Sequence, residues 1–379
     1  MSSLPRFSQI NPATIVAELD TILAQNRAEL LLLLSEIISL DWNFIQKLDD
    51  LDDRLQHFWS PINHLHAVKQ TAKLRLAYNE CLAKISAYSS ELSQNSRLYQ
   101  AIKTLDNGDY RFNYAQKKCL HNELRDFHLG GIDLPKAKQK RYQVIQAQLA
   151  QLSNQFEENL LDATANWSKC ISDKSELKGL PTYIIASAEK AAKDKNMSGC
   201  LLSLDYPCYF PVLSYADNRA LRESVYKAYI TRASEFGNMA FDNSPIMFKI
   251  LNLRHELSQL LGFKNYAQKS LASNKMAKTP EEVLSFLENL LRCTQSKADA
   301  EWQALYNFAQ SRDQIDTLQP WDILYYREKL QEKMFGICDD TLRCYFPVEK
   351  VLSGLFKLIH DLFGMQIQEI KEVDVWDTA

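Results

Sequence analysis

One long stripe of apolar residues limits what this chain can fold into. Residues 136–167 read KAKQKRYQVIQAQLAQLSNQFEENLLDATANW, and their apolar members recur every three or four positions. That spacing is typical of one face of an α-helix, and Pro135 suits the first turn, where no backbone N–H is needed. A helix of this length reaches about 48 Å, which is typical of helical bundles. The stripe consists of Tyr142, Ile145, Leu149, Leu152, Phe156 and Leu160.

The glycine content also indicates a mainly α fold. The chain has ten glycines among 379 residues, well under half of the usual share of about 7%. Residues 200–218, CLLSLDYPCYFPVLSYADN, give the one convincing break from the helical pattern, because two short apolar runs are bounded by Pro207 and Pro211. Such runs indicate a small β-hairpin or an extended segment. We therefore predict a multi-helix bundle with one small β-hairpin, in two or three packed subregions.

Charge and cysteine usage exclude several classes of partner. The 44 basic and 47 acidic residues give a formal charge of −3 with no basic stripe, so we expect no nucleic acid partner. The longest apolar stretch, residues 30–40, contains Glu36 and is too short to span a bilayer, so we expect no membrane partner. The eight cysteines are scattered without a C-x-x-C pair, and no signal peptide precedes them. This pattern favours a reducing, cytoplasmic location.

A near-match to a zinc motif occurs at residues 255–259, which read HELSQ. The helical zinc motif H-E-x-x-H needs two imidazoles at i and i+4, and the amide of Gln259 is a poor zinc ligand. A helical wheel also puts His255 and Gln259 opposite the apolar side. We therefore interpret this stretch as an ordinary helix without metal ligands. The apolar side is assigned to Ile250, Leu251, Leu253, Leu257, Leu260 and Leu261.

The other histidines give weak signals. His64 and His66 stand two positions apart, and on a helix such side chains diverge instead of meeting at one ion. His121, Arg125 and His128 share one helix face. Two imidazoles beside a guanidinium suit an anion better than a metal, and a solvated helix face is the favoured interpretation.

Cysteines do not indicate a metal site either. Cys338 and Cys344 lie six residues apart, with no histidine nearby and no second cysteine pair. Structural zinc sites use closely paired ligands. We expect no metal at this position.

One aromatic cluster has two interpretations. Residues 318–330, LQPWDILYYREKL, follow the pattern of a helix N-terminus, with Pro320 at its start and an acid close behind. The cluster consists of Trp321, Asp322, Tyr325 and Tyr326. These residues either anchor a domain core or line a channel that binds peptides.

Several longer stretches carry a family resemblance. SPINHLHAVKQT, LRDFHLGGIDLPKAKQKRY, LRHELSQLLGFKNYAQKSLASNKMA and LQPWDILYYREKL stand in this order along the chain. Together they resemble the thimet oligopeptidase family of zinc metallopeptidases. The resemblance runs from about residue 7 to about residue 376, with almost the same spacing.

The resemblance implies a mainly helical fold divided by a deep channel, in which a zinc ion hydrolyses short unstructured peptides. In the family, two histidines of H-E-x-x-H and a glutamate from a later helix hold the ion, and the motif glutamate is the general base. No position of this sequence matches those residues, so we assign it no catalytic residue and no metal ligand. Zinc is expected in the intact family enzyme, and no cofactor is expected for this chain alone.

The same resemblance predicts the domain organisation. Residues 1–199 would form an N-terminal helical domain and residues 200–218 the hairpin or extended segment. Residues 219–379 would begin a peptidase catalytic domain that is truncated before the zinc motif. We therefore expect the N-terminal part of a zinc metalloendopeptidase, inactive by itself, whose partners are short peptides and a complementing catalytic half.

Two other functions remain open. The first is a non-catalytic helical module that binds peptides or a partner, because half of a bundle would expose apolar helix faces. The second is a different enzyme that uses the face of His121, Arg125 and His128.

Overall fold

The computed structural model describes residues 4–35, 40–108, 110–273, 275–336 and 339–377, and it confirms a mainly α fold. The helices of the N-terminal half are α1 (Ile15–Ser35), α2 (Trp42–Val68), α3 (Ala72–Ser93), α4 (Ser96–Asn107), α5 (Tyr114–Leu129), α6 (Lys136–Ala165) and α7 (Thr182–Asp194). The later helices are α8 (Tyr206–Tyr215), α9 (Arg219–Ile230), α10 (Ser244–Leu260), α11 (Tyr266–Leu271), α12 (Pro280–Asp313), α13 (Pro320–Phe335), α14 (Asp339–Arg343) and α15 (Val348–Phe363). Strands β1 (Ser168–Ile171) and β2 (Cys200–Ser203) form an antiparallel pair.

The chain divides into two compact units. Unit 1 comprises Met1–Gln155, Met247–Leu284 and Ile370–Ala379, and unit 2 comprises Phe156–Ile246 and Ser285–Glu369. Helices α1 to α5 enclose two apolar clusters in unit 1. The central members of the first cluster are Leu19, Leu23, Ile62 and Cys81. The central members of the second cluster are Phe44, Ile102, Leu105 and Leu120. In unit 2, the sheet packs with α7, α8 and α9 around Leu202, Val212, Leu221 and Val225. The division predicted at residues 199 and 219 stays a prediction.

Helix α6 is the helix that the apolar stripe predicts. It begins directly after Pro135 and continues for 30 residues. Tyr142 and Ile145 are buried in unit 1, while the stripe residues from Leu149 onward are half-buried. The stripe therefore faces the protein interior along its length, most completely near its N-terminal end.

The predicted antiparallel strand pair exists, but its predicted position was wrong. Within residues 200–218 only β2 is extended, and it pairs with β1, so that Ile171 lies opposite Cys200. The remainder forms α8, although it contains two prolines. Pro207 lies in the first helical turn, where no N–H is required, and burial of Val212 and Leu213 outweighs the single bond lost at Pro211.

A pair of hydrogen bonds caps the N-terminus of α5. At α5, the backbone N–H of Gln116 donates to Asn113 Oδ1 (2.9 Å), and the N–H of Asn113 donates to Gln116 Oε1 (3.0 Å). This reciprocal pair satisfies two donors that the first turn leaves unpaired.

Among the described helices, none combines the length and apolar character that crossing a bilayer requires.

Candidate functional site

The aromatic cluster predicted at residues 318–330 surrounds a buried carboxylate in unit 2. Asp322 is fully buried at the start of α13 and receives three hydrogen bonds from Arg219, the shortest from Nη2 at 2.6 Å. Arg222, only 1% exposed, donates from Nη2 to Asp322 Oδ1 at 3.0 Å. These arginines lie at the start of α9, so the contacts join residues about 100 positions apart.

The remaining donors of Arg222 are also satisfied. Its Nη1 donates to the carbonyl oxygens of Ala216 (2.7 Å) and Asp217 (3.2 Å), and its Nε donates to the carbonyl of Trp321 (3.2 Å). Its guanidinium carbon lies 4.1 Å from the centre of the Tyr325 ring. Every nitrogen of this buried guanidinium therefore donates a hydrogen bond, to the cluster or to the backbone before α9.

The charges around Asp322 change its acidity. Burial by itself would raise the pKa of Asp322, because a carboxylate loses hydration. Hydrogen bonds from Arg219, from the backbone N–H of Gln319 and from Arg222 favour the ionised form. They outweigh burial, so the pKa of Asp322 lies below its ordinary value and the group is ionised at neutral pH.

The aromatic members of the cluster differ in exposure. Tyr325 and Tyr326 are buried, and burial raises the pKa of Tyr325 to about 12, helped by the hydrogen bond from its hydroxyl to Asp217 Oδ1 (3.0 Å). Burial also raises the pKa of Tyr326. Trp321 is half-buried, and Lys227 Nζ lies 5.3 Å from its ring centre. The cluster thus presents one partly accessible aromatic surface above a closed polar core.

The near-motif on α10 has a structural role in unit 1. Glu256 is held by Arg141, whose Nε and Nη2 donate to its two carboxylate oxygens at 2.5 and 2.6 Å. These hydrogen bonds lower the pKa of Glu256. His255 is exposed, and Gln259 Nε2 donates to the carbonyl of Lys264 at 2.9 Å. The three residues therefore have separate environments and do not fit a zinc site.

The helical wheel for α10 was correct for most of its apolar side. Ile250 and Leu257 are buried, and Leu253, Leu260 and Leu261 are half-buried. The inclusion of Leu251 was wrong, since this side chain is 58% exposed. One position advances about 100° around an α-helix, which turns Leu251 away from the side of Ile250.

The other histidine groups do not assemble either. His66 is buried and stacks on Tyr78 at 3.8 Å, whereas His64 lies between the rings of Phe7 and Trp376. Their different neighbours agree with the divergence expected for positions two apart.

On the helix face of His121, Arg125 and His128, for which a solvated face is the favoured interpretation, each basic group has an acidic partner. His121 Nε2 lies 3.2 Å from Asp106, and Arg125 pairs with Asp126 at 2.8 Å. His128 Nδ1 contacts Asp133. This face is therefore neutralised locally and offers no open cationic site.

Metal ligands are not grouped in the part of the chain that the structure describes. Within those residues, no set of three or more histidine, cysteine, aspartate or glutamate side chains could hold a metal ion. Cys344 is exposed. Cys338, the other cysteine of the pair considered in the sequence analysis, lies outside the described residues.

Helix α15 in unit 2 exposes an apolar face. Its apolar side chains recur at helical spacing, and those of the face are between 37% and 71% exposed. Monomeric proteins rarely expose contiguous apolar surfaces of this kind, so we expect this face to be an interaction surface. We define this α15 face by Val348, Val351, Leu352, Leu355, Phe356 and Leu362.

We expect the α15 face to cause self-association of the purified chain. Leu355→Glu combined with Leu362→Glu places two charges on that face, because positions seven apart lie on the same side of a helix. Sedimentation velocity should show less association than in the unchanged chain. The control is Lys357→Glu combined with Lys350→Glu on exposed polar positions of α15. If both double variants self-associate as strongly as the unchanged chain does, the assignment of this face is contradicted.

Comparison with family models identifies the class of protein. Residues 19–139 match the model of the neurolysin/thimet oligopeptidase N-terminal domain, and residues 212–379 match the model of peptidase family M3. The chain belongs to peptidase family M3, and the resemblance to the thimet oligopeptidases is confirmed.

Individual relatives within the family are similar over nearly the whole chain. Oligopeptidase A of Salmonella typhimurium is 45% identical over 379 residues, which cover 99% of this chain and 56% of that protein. Oligopeptidase A of Escherichia coli K12 is 44% identical, over 98% of this chain and 55% of its own length. A protein of Arabidopsis thaliana named probable cytosolic oligopeptidase A is 35% identical, over 99% of this chain and 54% of its own length. This chain therefore spans about half the length of the curated relatives it matches.

Proposed function

We propose that this chain is the N-terminal part of an oligopeptidase A-like zinc metalloendopeptidase that hydrolyses short unstructured peptides in the cytoplasm. In this proposal the 379 residues supply helical scaffold and substrate channel, and they are inactive without the remaining part. The zinc ligands and the general base would come from an H-E-x-x-H helix and a later glutamate outside these residues. Short peptides and a complementing catalytic half are the proposed partners.

The observation that carries this proposal is the state of α10. His255 is the only histidine followed directly by glutamate in the sequence, and its neighbour Glu256 is already held by Arg141. A general base must be free to take a proton from a zinc-bound water. In this proposal, the bidentate contact with a guanidinium keeps Glu256 from such a role. Two further observations support an additional part of the protein: the α15 face is exposed, and the chain spans only about half the length of its relatives.

The proposal also covers domains and the aromatic cluster. Residues 1–199 would be the N-terminal helical domain and residues 219–379 the first part of the catalytic domain, with residues 200–218, which form β2 and α8, between them in sequence. Trp321, Asp322, Tyr325 and Tyr326 would act as an anchor between α9 and α13. The burial of the last three and their closed hydrogen-bond network favour this role over direct contact with peptides.

A peptidase assay tests the proposed inactivity. The purified chain is incubated with an internally quenched fluorogenic peptide, with added zinc and separately with a chelator. We expect no hydrolysis above the rate without protein in either case. Hydrolysis that disappears with chelation and returns with zinc would refute the inactivity of this chain.

The α15 face supports a second candidate function, a non-catalytic module that binds peptides or a partner. Calorimetric titration with short peptides distinguishes the two candidates. Saturable binding that Leu355→Glu abolishes, without hydrolysis, would favour the module. Absence of binding would favour a scaffold that needs its missing part.

A further inference from the structure

Unit 2 contains a cavity of about 360 Å³ beside the loop that follows α9. Its apolar walls include Trp167, Leu204, Ala228 and Phe241, and the amides of Asn166 and Asn238 also line it. A volume near the lower end of the range of about 300–1,000 Å³ found for small-molecule sites suits one small ligand.

The loop that encloses this cavity is fixed by hydrogen bonds. Asn243, 1% exposed, donates from Nδ2 to the carbonyl of Phe156 (3.0 Å) and accepts from Asn159 Nδ2 (2.9 Å). Its backbone N–H donates to the carbonyl of Ala233 (3.1 Å). At Gly237 the chain passes so close to Thr231 that a Cβ would lie 2.4 Å from its carbonyl oxygen. The cavity is therefore preformed by a loop tied to the end of α6.

Arg232 is the charged residue that lines this cavity. Its guanidinium carbon lies 3.5 Å from the centre of the Tyr229 ring, and that ring stacks on Tyr209 at 3.7 Å. The stack fixes the plane of the guanidinium.

One donor of this guanidinium, Nε, lacks a partner among the described residues. Nη1 donates to the carbonyl of Tyr229 at 3.0 Å. Nε is buried without a hydrogen-bond partner, and among the described residues Arg232 forms no ion pair. A buried donor without an acceptor costs free energy, so an acceptor supplied by a ligand would stabilise this arrangement.

We propose that this cavity binds a small carboxylate that carries an apolar or aromatic substituent. Nε and Nη2 lie on the same side of the planar guanidinium, and together they match the two oxygens of a carboxylate. Nη1 is on the other side, where Tyr229 already occupies it. The apolar walls then contact the substituent. A free amino acid and the C-terminus of a short peptide share this chemistry, and the inference does not depend on the proposed peptidase function.

Two ligands that differ only in charge test the proposal on the unchanged chain. Binding of phenylacetate and of phenylacetamide is measured by ligand-observed NMR. Phenylacetate is expected to saturate in the millimolar range, and the amide is expected to bind at least about tenfold more weakly, because it lacks the second acceptor and the charge. The affinities of L-phenylalanine and of the peptide Ala-Ala-Phe are then compared. Tighter binding of L-phenylalanine indicates a site for a free amino acid, and tighter binding of Ala-Ala-Phe indicates a site for a peptide C-terminus.

Variants locate the binding. Arg232→Lys keeps the charge but removes the paired donors, and Ala163→Leu fills the cavity without touching the guanidinium. Each is expected to weaken phenylacetate at least about tenfold, while the exposed control Arg327→Lys leaves it unchanged. Circular dichroism checks that the variants are folded.

Three results would overturn the site. These are equal binding of the acid and the amide, unchanged phenylacetate affinity in a folded Ala163→Leu variant, and no phenylacetate binding by the unchanged chain at about 20 mM.

Discussion

Replacing Asp322 by asparagine is expected to lower the free energy of unfolding of unit 2 by about 3–5 kcal/mol. The substitution keeps the size of the side chain but removes its charge. Arg222 is 1% exposed and would then lose its buried counter-charge. Because natural domains are stable by only about 5–15 kcal/mol, this loss is a large part of the total. Denaturation in urea, followed by circular dichroism, measures it.

The control for this substitution is Asp316→Asn, six residues earlier on an exposed loop. It is expected to change the free energy of unfolding by less than about 0.5 kcal/mol. A difference of less than about 1 kcal/mol between Asp322→Asn and the unchanged chain would contradict the anchor role, because such a value is typical of exposed ion pairs.

The effect of Asp322→Asn should depend on pH. The pKa of Asp322 is lower in the folded chain than its unfolded value of about 3.9. Its ionisation therefore stabilises the fold above that value, and the stabilisation is lost as pH falls through the folded pKa. The difference between the two chains should be constant from neutral pH to about pH 5 and should shrink in stronger acid.

Extending the chain with a catalytic part should create peptidase activity. A chimera joins residues 1–379 to the C-terminal part of oligopeptidase A of Escherichia coli, whose matching part is 44% identical to this chain. We expect hydrolysis of the fluorogenic peptide at a rate on the order of 1 per second or faster, the range typical of enzymes. The unextended chain should give no turnover, so the expected change is from none to a full enzymatic rate.

The matched control for the chimera replaces the first histidine of its H-E-x-x-H motif by alanine. This change removes one zinc ligand and leaves residues 1–379 intact, so activity should disappear while the fold persists. A folded chimera that binds zinc but hydrolyses nothing would contradict the scaffold role proposed for this chain.

Local sequence patterns were sufficient to predict α6 and the buried side of α10. The stripe of α6 could be predicted because its side chains repeat with the helical period over about five turns, and no other type of secondary structure has that period. The pattern also separated His255 and Gln259 from the buried side of α10. In both cases the evidence lies within one element, where neighbours in sequence are neighbours in space.

Elements decided by distant contacts were predicted less well. Strand β1 has only four residues, and it is extended because it pairs with β2 about 30 positions later. Helix α8 contains prolines that local rules assign to a turn, but its apolar side chains are buried against other parts of unit 2. Local propensity is a weak guide where burial of this kind outweighs it.

The candidate site shows the same limit. The sequence identified Trp321, Asp322, Tyr325 and Tyr326 as one cluster, but it gave no reason to join Asp322 to Arg219 and Arg222. Their spacing of three positions at the start of α9 was the available signal, since it places two guanidinium groups on one side of a helix. The unpaired donor of Arg232 could not be found from sequence, because it depends on which acceptors the folded chain brings near.

The zinc content of the purified chain tests the account most directly. The chain and the chimera are each equilibrated with zinc, passed through a desalting column and analysed by inductively coupled plasma mass spectrometry. We predict about one zinc per chimera, the number held by a three-ligand catalytic site, and close to none per unextended chain. One tightly retained zinc per unextended chain would contradict the account, because the metal ligands would then lie within these 379 residues.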